Sequence, residues 1–524
     1  WWVRPVLPRG REAGFSAGQG GGSSLTAPDT MLRYGTRVNT PASTAIHRTR
    51  IVATLGPATD RPGILEAILE AGVNVVRLNM SHGTQSDHAR RIHAVRHLER
   101  GRTIGILADL QGPKIRVGTV ASDGLILEEG APFILTNRDI GSAPGIATLD
   151  YPPLPREVSP GMQILLDDGN LALRVDSTDG HDIHTTVVRG GRLTSHKGIN
   201  VPGAPLSAPA LTDKDLDDAA FAAGAGVDFL ALSFVRQGAD IIELRDHLFR
   251  RGFARDHCAI IAKIERPEAL IAIDDILAQA DGLMVARGDL GVEIPLQDVP
   301  RIQRDLLARC NHAGKPAITA TQMLESMVTS GRPTRAEATD VHVAVTGLTD
   351  AVMLSAETAS GRFPVEAVTA MRAIATSAES VLAEARHFAT AFGDVARDAT
   401  EAVAQSAVEI ATELGARAIV TVTAGGSTPR AIAKYRPAMP VIALTVSERI
   451  RHRLTLTWGV IPVTVPSFES TDEIFQRAAQ APIALGCAAP GDLIVITAGI
   501  PLGFVGGTNL MKVHRIGDPL PGAL

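Results

Sequence analysis

From Arg50 onward, apolar runs of strand length alternate with Ala/Leu/Glu-rich segments of helical spacing. The runs begin near Ile51, Val73, Thr103, Val227, Ala259, Gly282, Lys315 and Ala351, and between most of them lie segments such as 63–71, 270–280 and 299–312. Runs such as Ala259–Ile264 are nearly all apolar and do not alternate with polar residues. That suits strands covered on both faces of a parallel sheet. Eight strand–helix units in succession predict an α/β chain built on a (β/α)8 TIM barrel. The active site of such a barrel lies at the carboxyl ends of its strands.

One interval breaks the rhythm. Residues 117–203 hold short β-like runs at Leu125–Leu127, 133–135, Gln163–Leu166, 171–175 and 185–188, with Asp168-Gly169-Asn170 and Asp179-Gly180 marking tight turns. This predicts an inserted all-β lid domain after strand 3, over the barrel mouth, placed to exclude water. After Ser380 the pattern changes again. Segment 404–414 reads as an apolar-striped helix, and 418–423, Val441–Thr445, 460–465 and Leu493–Ala498 read as strands of a separate α/β domain. The predicted organisation is a disordered extension over 1–47, the barrel in 48–116 and 204–384, the lid in 117–203 and a carboxyl-terminal regulatory domain in 385–524.

Charge and cysteine usage narrow the setting. A net charge of −5 gives no reason to expect a nucleic-acid partner. No uncharged apolar run approaches the roughly 18–20 residues of a membrane span. Cys258, Cys310 and Cys487 are far apart, which argues against a disulfide framework and fits a reducing cytoplasm. Residues 1–44 are rich in Gly, Ser, Pro and Arg and show no periodicity. Their few acidic residues leave a targeting peptide as one reading. The expectation is a disordered extension, with residues 1–30 a gene-model artefact and Met31 the candidate start.

The chemistry is read at the predicted carboxyl ends of the strands. Strand 1 supplies Thr54; strand 2 Arg77, Asn79, Ser81 and His82; strand 3 Asp109, Leu110, Lys114 and Arg116. Strand 5 supplies Lys263 and Glu265, strand 6 Gly288 and Asp289, strand 7 Thr319, Thr321 and Gln322, and strand 8 Ser355 and Glu357. Charges at the end of a buried strand are costly unless they hold a metal or a ligand. Glu265 and Asp289 are therefore expected to share a hard divalent cation, with Lys263 facing an anionic substrate. Two carboxylates suit Mg2+, which takes few protein ligands and fills its octahedron with water and phosphate oxygens. Arginines recognise phosphate and carboxylate bidentately. The set has no Cys nucleophile and no His/Cys cluster for zinc. The implied chemistry is phosphoryl transfer or enolate stabilisation. In the carboxyl-terminal domain, Ala424-Gly425-Gly426-Ser427-Thr428 joins a strand to a helix near Pro429. Amides and hydroxyls at such a turn suit a phosphate, although Gly-rich turns also occur there without a ligand.

Six motifs taken together, at 77–83, 108–116, 262–265, 285–291, 319–327 with 332–337, and 353–358, resemble the pyruvate kinase family, in the right order and with the inserted domain at the family's position. The resemblance implies transfer of the phosphoryl group of phosphoenolpyruvate to ADP, giving pyruvate and ATP in glycolysis through an enolate, with Mg2+ or Mn2+. It implies that Arg77 binds the transferring phosphoryl group, that Lys263 stabilises the developing enolate, and that Glu265 and Asp289 hold Mg2+. It places the backbone amides of Gly288 and Asp289 on the substrate carboxylate and the Thr321 hydroxyl beside the substrate carbon. A threonine hydroxyl is a poor acid, so Thr321 is expected to orient and relay a proton. Asn79, His82, Arg116 and, from the lid, Lys197 match nucleotide contacts, and Ser355 and Glu357 are expected to support the waters of the metal.

Two departures from the family pattern stand out. Asn79, Ser81, Asp109 and the Leu110 carbonyl match a monovalent-cation site, yet Lys114 occupies the position where K+-requiring members carry Glu. An ammonium there can replace the charge of K+ and disfavours a bound cation, so activity without K+ is expected. Ala356 replaces the usual Gly between Ser355 and Glu357. Thr423, Gly425, Gly426, Ser427 and Thr428 match the family's loop for a phosphorylated effector. Segment 499–508 lacks the Trp and Arg that would favour fructose 1,6-bisphosphate, which leaves the effector open. Family membership also implies an allosteric homotetramer. Two other readings compete. A carbon–carbon lyase acting on phosphoenolpyruvate or pyruvate would share the carboxylate pair but would not need the lid, Lys197 or Arg116. A catalytically silent regulatory subunit would keep the fold, but Arg77, Lys263, Glu265, Asp289 and Thr321 are all intact.

Overall fold

The structure, a computed structural model, describes residues 47–99, 101–121, 123–384, 398–501 and 507–520. The expected extension, except for its last residue, and the candidate start Met31 lie outside the described residues, as does part of the 499–508 loop. Eight parallel strands close a barrel: Arg50–Leu55, Val75–Asn79, Gly105–Asp109, Phe229–Leu232, Ala259–Ile264, Gly282–Ala286, Ala317–Ala320 and Ala351–Leu354. They are called strands 1 to 8 below. The last pairs with the first, Arg50 opposite Ala351, so no edge remains. The expected runs at Val73, Thr103, Val227 and Lys315 begin just ahead of the strands they announce. Lys315 lies in the segment joining the preceding helix to strand 7, and its ammonium donates to the carbonyls of Leu277 and Ala280.

The barrel is apolar on both faces, which is why its strands read as unbroken apolar runs. Outward side chains such as Ile51, Leu78, Ile106 and Leu230 pack beneath the helices, while Val52, Leu107, Phe229, Ile261, Met284 and Ile318 fill the interior. Leu456 of the carboxyl-terminal domain belongs to that interior cluster and plugs the amino end of the barrel. Several barrel helices start on a capping box: Thr84 with Asp87, Thr212 with Asp215, and Thr334 with Glu337.

The insertion after strand 3 folds as a six-stranded sheet and a two-stranded ribbon around its own core, which includes Leu135, Ile164, Leu173 and Val187. All five runs expected there lie in strands, and Asp167, Asp168 and Gly169 take positive φ in the predicted turn. Ile146–Thr148, Gly191–Leu193 and Ile199–Asn200 are additional strands, too short to show alternation. The carboxyl-terminal sheet contains the four expected parallel strands and, at its edge, the antiparallel Leu510–Arg515. Lys512 and His514 interrupt the apolar pattern of that edge strand, which hides it in the sequence. Buried polar contacts tie this domain to the barrel. Arg436 Nη1 donates to Asp350 Oδ1 at 2.9 Å, Arg50 Nε to the Thr457 carbonyl at 2.8 Å, and His452 Nε2 lies 2.9 Å from Glu99 Oε1.

Candidate active site

At the carboxyl end of the barrel, strands 2 to 5 deliver one charged cluster. Arg77 Nε donates to Asp109 Oδ2 at 2.6 Å, and its Nη1 donates to Thr54 Oγ1 at 3.0 Å. Lys263 Nζ lies 3.2 Å from Asp109 Oδ1 and 3.0 Å from Glu265 Oε1, and donates to Ser233 Oγ at 2.7 Å. Ser233 Oγ in turn donates to the Leu110 carbonyl at 2.7 Å, and Phe234 N donates to Glu265 Oε2 at 2.7 Å. Burial alone would raise the Asp109 carboxyl, but Lys263 and Arg77 outweigh it and hold it below the usual range. Burial opposes the charge on Lys263, and Asp109 and Glu265 reverse that and hold the ammonium firmly protonated. Burial, with Asp289 adding to it, pushes the Glu265 carboxyl up despite Lys263.

Strands 6 and 7 form the other wall. Gly288 N donates to Thr321 Oγ1 at 2.8 Å, and that hydroxyl donates to the Ala320 carbonyl at 2.6 Å. Thr321 and Gln322 both have positive φ, 67° and 53°. For a β-branched residue such a conformation costs about 1–3 kcal/mol and persists only where its surroundings enforce it. Arg287 provides that enforcement: its Nη2 donates to the Thr321 carbonyl at 2.7 Å and its Nη1 to Asp340 Oδ1 at 2.6 Å. Glu357 accepts the Leu324 amide at 3.1 Å and the Ser355 amide at 2.6 Å. Both its oxygens thus brace the loops that follow strands 7 and 8.

Lys114 bridges barrel and lid. Its ammonium donates to Asp289 Oδ1 at 2.9 Å and lies 3.6 Å from Asp168 Oδ1 in the lid turn. Burial works against that charge, but Asp289, with Asp168 and Glu265 behind it, outweighs burial and raises the lysine pKa. Among the described residues no hydrogen bond or ion pair joins Lys114 to Asn79, Ser81 or Asp109. Asn79 Oδ1 accepts the Ser81 amide at 3.1 Å, and His82 is exposed. Arg116 Nη1 donates to the His196 carbonyl at 3.0 Å, while Lys197 Nζ pairs within the lid with Asp167 at 2.6 Å. In the carboxyl-terminal domain the Thr423 hydroxyl accepts the Gly426 amide at 2.9 Å, and the Thr428 and Thr508 hydroxyls share a hydrogen bond.

The carboxylates suit a hard divalent cation. Glu265 Oε1 and Asp109 Oδ1 are buried, and among the described residues neither has a hydrogen-bond partner beyond the Lys263 ammonium they share. Burial and the neighbouring Asp289 push the Glu265 carboxyl up, a cost that a bound cation would relieve. Ser233 and Arg287 carry no predicted role. Ser233 ends strand 4, a strand with no charge at its end, and Arg287 is an ordinary helix-start arginine until strand 7 comes beside it.

Comparison with known proteins bears on the whole arrangement. A family model for the pyruvate kinase barrel domain matches residues 46–368, and one for the pyruvate kinase alpha/beta domain matches residues 401–514. The pyruvate kinase of Geobacillus stearothermophilus is 46% identical over 477 residues, which cover 90% of this chain and 81% of the relative. That of Sporosarcina psychrophila is 43% identical over 91% of this chain and 81% of the relative, and that of Bacillus licheniformis 44% identical over 90% and 81%. With both domain models matched and identities of this size across nine-tenths of its length, the chain belongs to the pyruvate kinase family.

Proposed function

We propose that the chain transfers the phosphoryl group of phosphoenolpyruvate to ADP and releases pyruvate and ATP, as a glycolytic, cytoplasmic enzyme. The observation that carries this reading is Lys263, a buried ammonium held by Asp109, Glu265 and Ser233 at the mouth of a closed barrel. Arg77, already oriented by Asp109 and Thr54, offers its guanidinium to the phosphoryl oxygens. The bond between phosphorus and the enol oxygen of the substrate breaks, and an oxygen of the ADP β-phosphate bonds to phosphorus. Lys263 then faces the enolate oxygen left behind and stabilises its charge. The amides of Asp289 and of Gly288, the latter exchanging its bond to Thr321 Oγ1 for the substrate, hold the substrate carboxylate. The Thr321 hydroxyl orients the water chain that returns a proton to the enolate carbon. Glu265 and Asp289 would hold Mg2+ or Mn2+, which when bound neutralises the charge of the phosphoryl and enolate oxygens.

Asn79, His82, Arg116 and Lys197 take the nucleotide. Lys197 lies in the lid, and Arg116, the last barrel residue before it, is tied to it through the His196 carbonyl, so closure of residues 117–203 over the barrel of 48–116 and 204–384 brings them to the phosphates and excludes water. Asn79, Ser81, Asp109 and the Leu110 carbonyl form the place of the monovalent cation. Lys114, held on Asp289, supplies the positive charge instead, so K+ is not required. Residues 385–524 form the regulatory domain, whose Thr423–Thr428 loop takes a phosphorylated effector, and four copies assemble. The reading is tested by ADP-dependent formation of pyruvate from phosphoenolpyruvate with Mg2+. Turnover without ADP dependence points to a lyase, and binding without turnover to a silent regulatory subunit.

A further inference from the structure

One cavity among the described residues lies at the opposite end of the barrel from the site above. It has a volume of about 420 Å3, between the amino ends of strands 5 to 7, at Ala259, Ile261 and Pro316, and the carboxyl-terminal domain. Its acids are already engaged. Asp281 accepts Arg245 at 2.6 Å and the Ile260 amide at 2.8 Å, Glu401 pairs with Lys434, and Asp398 accepts the Glu401 amide at 2.9 Å. Three cations on the same lining have no such partner. Lys315 donates to the Leu277 and Ala280 carbonyls, Arg430 to the Gly425 carbonyl at 3.4 Å, and Arg453 to the Asp256 carbonyl. Among the described residues none of the three is ion-paired with a carboxylate. Arg453 Nε is buried with no hydrogen-bond partner.

These cations are held at a cost. Burial lowers all three, and they oppose one another: Arg430 acts on Lys315, and Arg453 on Arg430, with Asp281 as the common offset. Burial of like charges without paired anions is unfavourable unless something compensates it. Arginine forks and an ammonium converging from both domains match the several oxygens of a phosphate ester. The volume suits a small metabolite and exceeds what a bare ion needs.

We propose that this interdomain cavity binds a small phosphorylated metabolite, its phosphate on Arg430, Arg453 and Lys315, and thereby clamps the carboxyl-terminal domain to the base of the barrel. This goes beyond the effector loop: Gly425 and Ser427 contribute to the lining, but the buried Thr428–Thr508 pair does not. It stands independently of the catalytic reading.

The test titrates fructose 6-phosphate into the full chain by calorimetry, with fructose as the uncharged control and Arg430→Gln, Arg453→Gln and Thr428→Val as variants. The expected result is binding of the phosphate ester alone, weakened by about tenfold or more in either arginine variant, the loss of one charge-assisted hydrogen bond, and retained in Thr428→Val. A second measurement needs no variant: modification of Arg430 and Arg453 in the wild-type chain by phenylglyoxal, followed by peptide mass spectrometry, slows on adding fructose 6-phosphate. No binding to the wild type, equal binding by the arginine variants, loss confined to Thr428→Val, or unprotected arginines would overturn the proposal.

Discussion

Lys263 shows how one side chain takes its meaning from three strands. It stands within an apolar run, where an ammonium has no reason to be unless anions meet it. Asp109 from strand 3 and Glu265 from its own strand do so, and Ser233 fixes the ammonium. Lys263→Met should lower turnover by about 10²–10³-fold, the scale of removing one aimed charge from a transition state. Steady-state kinetics beside a circular dichroism spectrum checks this. A variant that folds and turns over at the wild-type rate sinks the assigned role. Lys114 makes a second prediction. The wild type should keep its rate in buffer free of K+ and Na+, whereas Lys114→Glu should need K+. A wild-type rate that falls more than about tenfold without K+, the effect of losing one charge-assisted contact, rules out the replacement. These charged residues were legible in the sequence because burying a charge is expensive wherever it occurs. Ser233 and Arg287 were not, because each is unremarkable until a neighbouring strand supplies its partner.

Elements carry the next layer. Thr321 holds its left-handed conformation because the helix starting at Arg287 anchors its carbonyl and the Gly288 amide holds its hydroxyl. Between the domains, the helix Glu448–Arg453 sets His452 against Glu99, which caps the helix Gln85–Leu98. Burial works against a charged imidazole there, but the hydrogen bond it donates to Glu99 and the charge of Asp228 overcome it, so the His452 pKa is raised. A raised value means that the contact is fully stabilising below the ordinary histidine range, near pH 6.5, and is lost as pH rises through the folded-state value. Thermal unfolding followed from pH 5.5 to 8.5, a range of about three units around that value, should show this loss in the wild type. His452→Gln should flatten it by a few degrees. An unchanged pH profile in the variant excludes His452 as its source. Strand positions and helix caps were readable because period and capping chemistry are local. The additional lid strands Ile146–Thr148, Gly191–Leu193 and Ile199–Asn200 and the edge strand Leu510–Arg515 were not, since strands this short or this interrupted are made by their pairing partners rather than by their own pattern.

At the scale of the molecule, the inserted sheet domain meets the barrel mouth where Lys114 lies 3.6 Å from Asp168, and Leu456 plugs the other end. Arg436 and Asp350 form a buried pair across the lower contact, with the guanidinium 5.1 Å from the Trp458 ring. Removing one partner of such a pair costs about 3–5 kcal/mol, because the other charge stays buried. Arg436→Met should therefore uncouple the domains, and calorimetry should show the carboxyl-terminal domain melting ahead of the barrel. A single transition at the wild-type midpoint refutes this.

The sequence by itself determined the barrel, the insertion after its third strand, the second α/β domain and the charged residues at the strand ends. Periodicity is local, and a charge in an apolar strand is conspicuous in one dimension. Only the tertiary structure decided that the Lys114 ammonium lies on Asp289, that Glu357 braces two loops, and that three cations from two domains converge on one cavity. Those arrangements depend on distances between segments far apart in the chain, and pairing across such distances leaves no periodic trace.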